Sequence, residues 1–315
     1  MRIAFLGTPE VAVPALEALV AAPDLEVVVA LCNPDRPKGR SREPVPPPVK
    51  VAAAAHGIPV WQPGRPREVL ADLQALELDA CAVVAYGALL PADVLAVPRL
   101  GFVNLHFSLL PRWRGAAPVQ HALRAGDAVT GVTTFVLDEG MDTGPVLRSL
   151  EVPIDPQESA GELLARLAEL GAPVLVESLH GLAQGATPVP QTDDGATLAP
   201  KIRPGDVAIA FDRPAVELAH LIRSADPAPG AHARWRGERC KVLRAHPEDV
   251  DVAADVVPGT VLAAGRQGVL VATGAGALRL LEVQPAGKPR MDATAFANGA
   301  RLAPGDRFED GDPDS

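Results

Sequence analysis

The chain has 315 residues, 48% of them apolar and 22% charged, with three cysteines and a formal net charge of −10. That length allows one large domain or two ordinary ones. The acidic balance argues against a general nucleic-acid coat protein, and no apolar run reaches the length of a membrane span. Cys32, Cys81 and Cys240 are too scattered for a disulfide framework or a zinc site, so a cytoplasmic protein with no membrane partner and no metal is expected. Charge is uneven: residues 201–245 carry nine basic and five acidic side chains, against one and eight over 151–200. So modest an excess is as compatible with chance as with an anionic partner.

The opening MRIAFLGTPE lacks the layout of a secretion signal and reads as a first strand. Apolar runs predict strands at Arg2–Leu6, Glu26–Leu31, Ala80–Ala85, Gly101–His106 and Val132–Leu137. Amphipathic segments lie between them, at Ala15–Ala22 and Val69–Leu76. Buried strands alternating with helices imply an α/β fold, a doubly wound, mostly parallel sheet with ligands beyond the strand carboxyl ends. Two helices are expected next: Ser159–Leu170, with Ser159 and Glu162 as a capping box, and Ala172–Ala183. A Pro-, Gly- and Thr-rich linker over 189–204 then closes a first domain, 1–188. After a helix at Pro214–Arg223, short glycine-punctuated strands are expected at Arg239–Leu243, Gly259–Ala263, Gly268–Ala272 and Leu278–Val283. They predict a small β-barrel domain over 205–305, with a disordered acidic tail over 306–315.

Asn104 and His106 stand two apart near the end of the fourth predicted strand, so they share a face and project toward the ligand edge. The loop DEGMDTGP (138–145) supplies Asp142 between Gly140 and Gly144. Acylation of an amine needs these residue types. A neutral amide donor suits the oxyanion, an imidazole of near-neutral pKa moves a proton, and a carboxylate orients that imidazole. Each residue alone is more often structural, and the joint pattern is what points to chemistry. The first strand leads into GTPE rather than GxGxxG, so a bound dinucleotide is not expected.

NLHFSLLPRWRGAAP (104–118) followed by DEGMDTGP resembles the formyltransferases that use 10-formyltetrahydrofolate. The resemblance implies that Asn104, His106 and Asp142 are the catalytic trio. It also places Tyr86, Gly87, Leu90, Ser108, Leu109, Leu110, Pro111 and Gly115 around the folate co-substrate. FLGTPEVAVPALEAL (5–19), NPDRPKGR (33–40) with PPVK (47–50), VVAYGALLP (83–91) and LLEVQPAGKPRM (280–291) are similar to the branch of the family acting on methionyl-tRNA. That branch implies an initiator methionyl-tRNA substrate, a monomer, a Rossmann-like catalytic domain and an OB-like C-terminal barrel that helps hold tRNA. The proline-rich loop with Arg36, Lys38, Arg40 and Arg42 would meet the tRNA acceptor end, where an arginine fork suits phosphate and base edges. Three features depart from the family pattern: Phe107 replaces a small residue or proline, Asn33 replaces a common glutamine, and residues 224–235 lack some of the usual aromatics. Two other readings stay open, a formyltransferase for a small amine such as a nucleotide sugar or ribonucleotide, and a non-catalytic tRNA- or folate-binding protein.

Overall fold

The apolar runs near the start of the chain do form strands, and they join in one seven-stranded sheet in the computed structural model, which describes residues 1–37 and 43–312. The chain divides into two compact units. The first comprises Met1–Gly115, Val129–Pro153 and Leu164–Ala199; the second comprises Ala116–Ala128, Ile154–Leu163 and the chain from Pro200 onward.

In the first unit the sheet order is Val60–Trp61, Glu26–Leu31, Arg2–Gly7, Ala80–Val84, Phe102–His106, Val129–Val136, Val146–Pro153. The first five strands are parallel, Val129–Val136 runs antiparallel to them, and Val146–Pro153 pairs antiparallel to Val129–Val136. Ile3–Leu6 and Ala80–Val84 are buried along their whole length, as strands covered on both faces must be. The fifth predicted strand is therefore present but reversed. Val146–Pro153, which lies outside the sequence expectation, is an edge strand whose Arg148, Ser149 and Glu151 are exposed, so it has no apolar signature to read.

The carboxyl ends of three parallel strands are tied to one another. Thr8 Oγ1 donates to the Tyr86 carbonyl and accepts from the Asn33 amide, and the Asn33 carboxamide donates to the same Tyr86 carbonyl at 3.2 Å. The two helices expected over 159–183 are one helix, Ala160–Ala183. Gly171 and Pro173 read as a break, but Gly171 serves packing: a β-carbon there would lie 3.0 Å from the Leu105 side chain. The capping box is as expected, with Glu162 accepting the Ser159 amide at 2.9 Å and Ser159 Oγ accepting the Glu162 amide at 3.4 Å.

The second unit is built on an antiparallel sheet in the order His232–Trp235, Glu238–Glu248, Ala277–Pro285, Gly268–Ala272, Val261–Gly265. Helix Ala215–Ala225 buries Leu218, Leu221 and Ile222 in the same core. The acidic tail is not a free tail over 306–312. Glu309 bridges Arg234 on one edge strand, and Arg307 bridges Thr260 at the start of the other. The segment thus closes both edges that an open sheet would leave unpaired. Its anchor is Phe308, fully buried, with ring centroids 5.0 Å from Trp235 and 6.2 Å from Phe211. Composition reads this stretch as disordered because one phenylalanine is outvoted by its acidic neighbours. Phe308→Ala is expected to destabilise the second unit by about 3–5 kcal/mol. Chemical denaturation would measure this, and a loss below about 1 kcal/mol would contradict the closure. Among the described residues no helix is long and apolar enough to cross a membrane.

Candidate active site

Strand Phe102–His106 buries Phe102, Val103 and Leu105 between its neighbours and ends on His106, itself only 6% exposed. Asn104 and His106 share a face, and Asn104 is half-buried. Among the described residues the Asn104 carboxamide takes no hydrogen bond, so its N–H groups are available to a ligand. His106 is fixed by its surroundings. Its Nε2 lies 2.9 Å from the Trp113 carbonyl, and its ring stands edge-on to Phe135. A carbonyl only accepts, so Nε2 carries the proton. In the neutral ring Nδ1 therefore holds a lone pair, and it faces Asp142 Oδ2 at 3.8 Å. Burial pushes the imidazole pKa below its ordinary value, while the Asp142 charge and the Trp113 carbonyl pull it back up. The resting ring is thus neutral near pH 7, with a basic nitrogen beside a carboxylate.

Asp142 is held at φ +53, in the left-handed region that non-glycine residues seldom enter. Its Oδ2 accepts the Gly115 amide at 2.7 Å. Gly144 allows the loop its close approach, since a β-carbon there would lie 1.8 Å from the Val136 carbonyl. Gly115, at φ +126, has the same role on the facing loop, where a β-carbon would come within 2.7 Å of the Ala199 carbonyl.

Several side chains that hold these loops carry no signal in the sequence. Thr133 Oγ1 donates to the Ser108 carbonyl and accepts the Leu110 amide, which pins the turn after His106. Arg114 is buried and directs its guanidinium onto Gln191 Oε1, at 3.1 and 2.9 Å. Thr197 accepts the Trp113 amide on its hydroxyl and the Arg114 amide on its carbonyl. Gln191 and Thr197 belong to the segment read as a linker. Over 189–199 that segment is instead part of the first unit, bridged to Val146 through Val189 and to Arg114 through Leu198. Their distance in sequence from the strand end, not their residue type, hid them.

The residues expected around a folate fall into two groups. Tyr86 and Ser108 are buried, the first in the core beside Phe102 and the second with its hydroxyl on the Arg112 carbonyl at 2.6 Å. Neither side chain is open to solvent. Gly87 is exposed, and Leu90, Leu109, Leu110, Pro111 and Gly115 are half-buried. An open groove of about 490 Å³ runs beside Leu89, Leu90 and Glu139, with Arg65 and Arg67 on its lining. Phe107 is buried, so its ring packs inward rather than toward solvent. Asn33 fills the glutamine position as the tie between strand ends described above. In the basic loop, Arg36 is exposed at the base of a short hairpin with Val45, and Lys50 braces the neighbouring Asp35 at 2.8 Å. Lys38, Arg40 and Arg42 lie outside the described residues. Among the described residues no group of three or more His, Cys, Asp or Glu side chains is placed to hold a metal ion.

Comparison with known proteins places this arrangement. A family model described as formyl transferase matches residues 1–179, and one described as formyl transferase, C-terminal domain, matches residues 201–301. A methionyl-tRNA formyltransferase of Streptomyces coelicolor is 47% identical over 98% of this chain and 100% of its own length. One from Streptomyces griseus is 48% identical over 97% and 99%. A crystal structure of HypX from Aquifex aeolicus superposes with a TM-score of 0.67 at 18% identity. It covers 97% of this chain and 48% of that one, so this chain spans about half the length of HypX and shares its fold.

Proposed function

Because the chain belongs to the formyl transferase family, we propose that it transfers the formyl group of 10-formyltetrahydrofolate to the α-amino group of initiator methionyl-tRNA. The acceptor is taken from relatives that align with it nearly end to end. The observation that carries the chemistry is the meeting, at one strand end, of an available carboxamide on Asn104 with the His106–Asp142 pair at 3.8 Å.

The α-amino group has an ordinary pKa of about 7.7–8.0, so much of it is charged at neutral pH and the neutral fraction attacks. The Asn104 amide donates to the formyl oxygen as negative charge develops there. The new C–N bond leaves the attacking nitrogen with a surplus proton, which His106 Nδ1 accepts. Asp142 stabilises the imidazolium so formed. The same proton then passes to N10 of the folate as the old C–N bond breaks, and His106 returns to its neutral state. No net proton is gained or lost by the pair.

Gly87, Leu90, Leu109, Leu110, Pro111 and Gly115, with Tyr86 and Ser108 behind them, form the wall offered to the folate. Arg36, Lys38, Arg40 and Arg42 supply cations for the acceptor end of the tRNA. In the second unit a cavity of about 270 Å³ lined by Arg223, Arg244, His220 and His246 gives the net-basic stretch 201–245 a physical form that suits an anionic partner.

Incubating the purified protein with 10-formyltetrahydrofolate and methionyl-tRNA, a nucleotide amino sugar or glycinamide ribonucleotide decides among the readings. Formylated methionyl-tRNA alone is expected. Formylation of a small amine in preference to the tRNA, or tight binding without product, would overturn the proposal.

A further inference from the structure

We infer that Gln191 is a positioning residue that sets Asp142 against His106 by clamping the two loops of the site. The inference rests on the catalytic reading above. Asp142 sits at φ +53, a conformation that costs energy for a residue with a side chain and persists only where its surroundings impose it. Gln191 imposes it. Its Nε2 donates to the Asp142 carbonyl at 2.9 Å and to the Gly144 carbonyl at 2.8 Å, at the turned residue itself and two residues beyond it. Its Oε1 takes the guanidinium of Arg114, whose neighbour Gly115 gives its amide to the Asp142 carboxylate. One carboxamide therefore uses both donors and its acceptor to tie loop 138–145 to loop 107–115, while flanking residues 192–195 are exposed. Only an amide has this donor and acceptor set on one planar group. Gln191 does not touch His106; it acts through Asp142.

The test compares wild type with Gln191→Glu and Gln191→Leu. The glutamate keeps the size and the acceptor for Arg114 but loses both donors and sets negative charge against two carbonyls. The leucine loses the whole set. With Asp142 released, His106 loses the charge that raises its pKa. Both variants are expected to lower kcat about 10- to 100-fold, the scale of a small misplacement at a reacting centre. KM for either substrate should be nearly unchanged, and the acidic limb of the kcat profile should move to lower pH. NMR titration of the His106 ring should show the same downward move without any turnover. Wild-type kcat in both variants would overturn the inference, as would a raised KM with intact kcat, or a His106 titration unchanged in Gln191→Glu. If wild type formylates no amine while the His106 titration still moves, the functional reading fails and the positioning role stands.

Discussion

Asn104→Ala is expected to lower kcat for formyl transfer by about 10²–10³-fold, with little change in affinity for methionyl-tRNA. The carboxamide projects from the strand end and makes no hydrogen bond among the described residues. Losing it therefore orphans no partner in the folded protein. The cost falls on the transition state, where the formyl oxygen gains charge, and less on the ground state, where the carbonyl oxygen needs a donor less. A loss confined to kcat and kcat/KM is the signature of such an interaction. Steady-state kinetics with saturating folate would measure it, beside a filter-binding titration of the tRNA. A variant within about threefold of wild type in kcat would remove Asn104 from the proposed chemistry.

The parts of this site that the sequence disclosed are those governed by local rules. Asn104 and His106 are two apart on a strand, so their shared face follows from backbone alternation. Asp142 stands between two glycines in a loop that needs tight turns, and both glycines prove to be packed where a β-carbon would clash. The alternating strands and helices of the first half are likewise legible, because strands buried on both faces are written as continuous apolar runs. What escaped depends on tertiary contact. The reversal of Val129–Val136 leaves its composition unchanged. The single helix 160–183 was hidden by Gly171, which reads as a breaker but makes room for Leu105. Gln191 lies 49 residues from Asp142 along the chain and in a stretch with the composition of a linker. The tautomer of His106 is set by a backbone carbonyl, which no side-chain pattern encodes. Phe308 is the same lesson in the second unit, one buried ring in an acidic segment.

Asp142→Asn tests the His106–Asp142 pair. Nε2 of the buried ring is bound to the Trp113 carbonyl, so the proton in transit must sit on Nδ1, facing Asp142. The carboxylate contributes nothing to the neutral ring and much to the imidazolium, so neutralising it raises the barrier at the step where the amine proton is taken. General acid–base catalysis of this kind is worth about 10²–10⁴-fold, which bounds the expected loss. The pH dependence has a definite sign. His106 acts in its neutral form and the acceptor amine as its free base, so the rate rises with pH through both titrations; divided by the neutral fraction of the amine, it levels off above the folded pKa of His106. Burial sets that pKa below the ordinary imidazole value near 6.5, and Asp142 partly restores it. Replacing Asp142 by asparagine lowers it further, which moves the rising limb to lower pH while the plateau falls. The most direct test is the single-turnover rate of formylation of methionyl-tRNA by wild type and Asp142→Asn across pH 5–8. The expected result, divided by the neutral fraction of the amine, is a lower plateau with its rising limb displaced toward acid. A normal single-turnover rate in Asp142→Asn would contradict the proposed role of the pair.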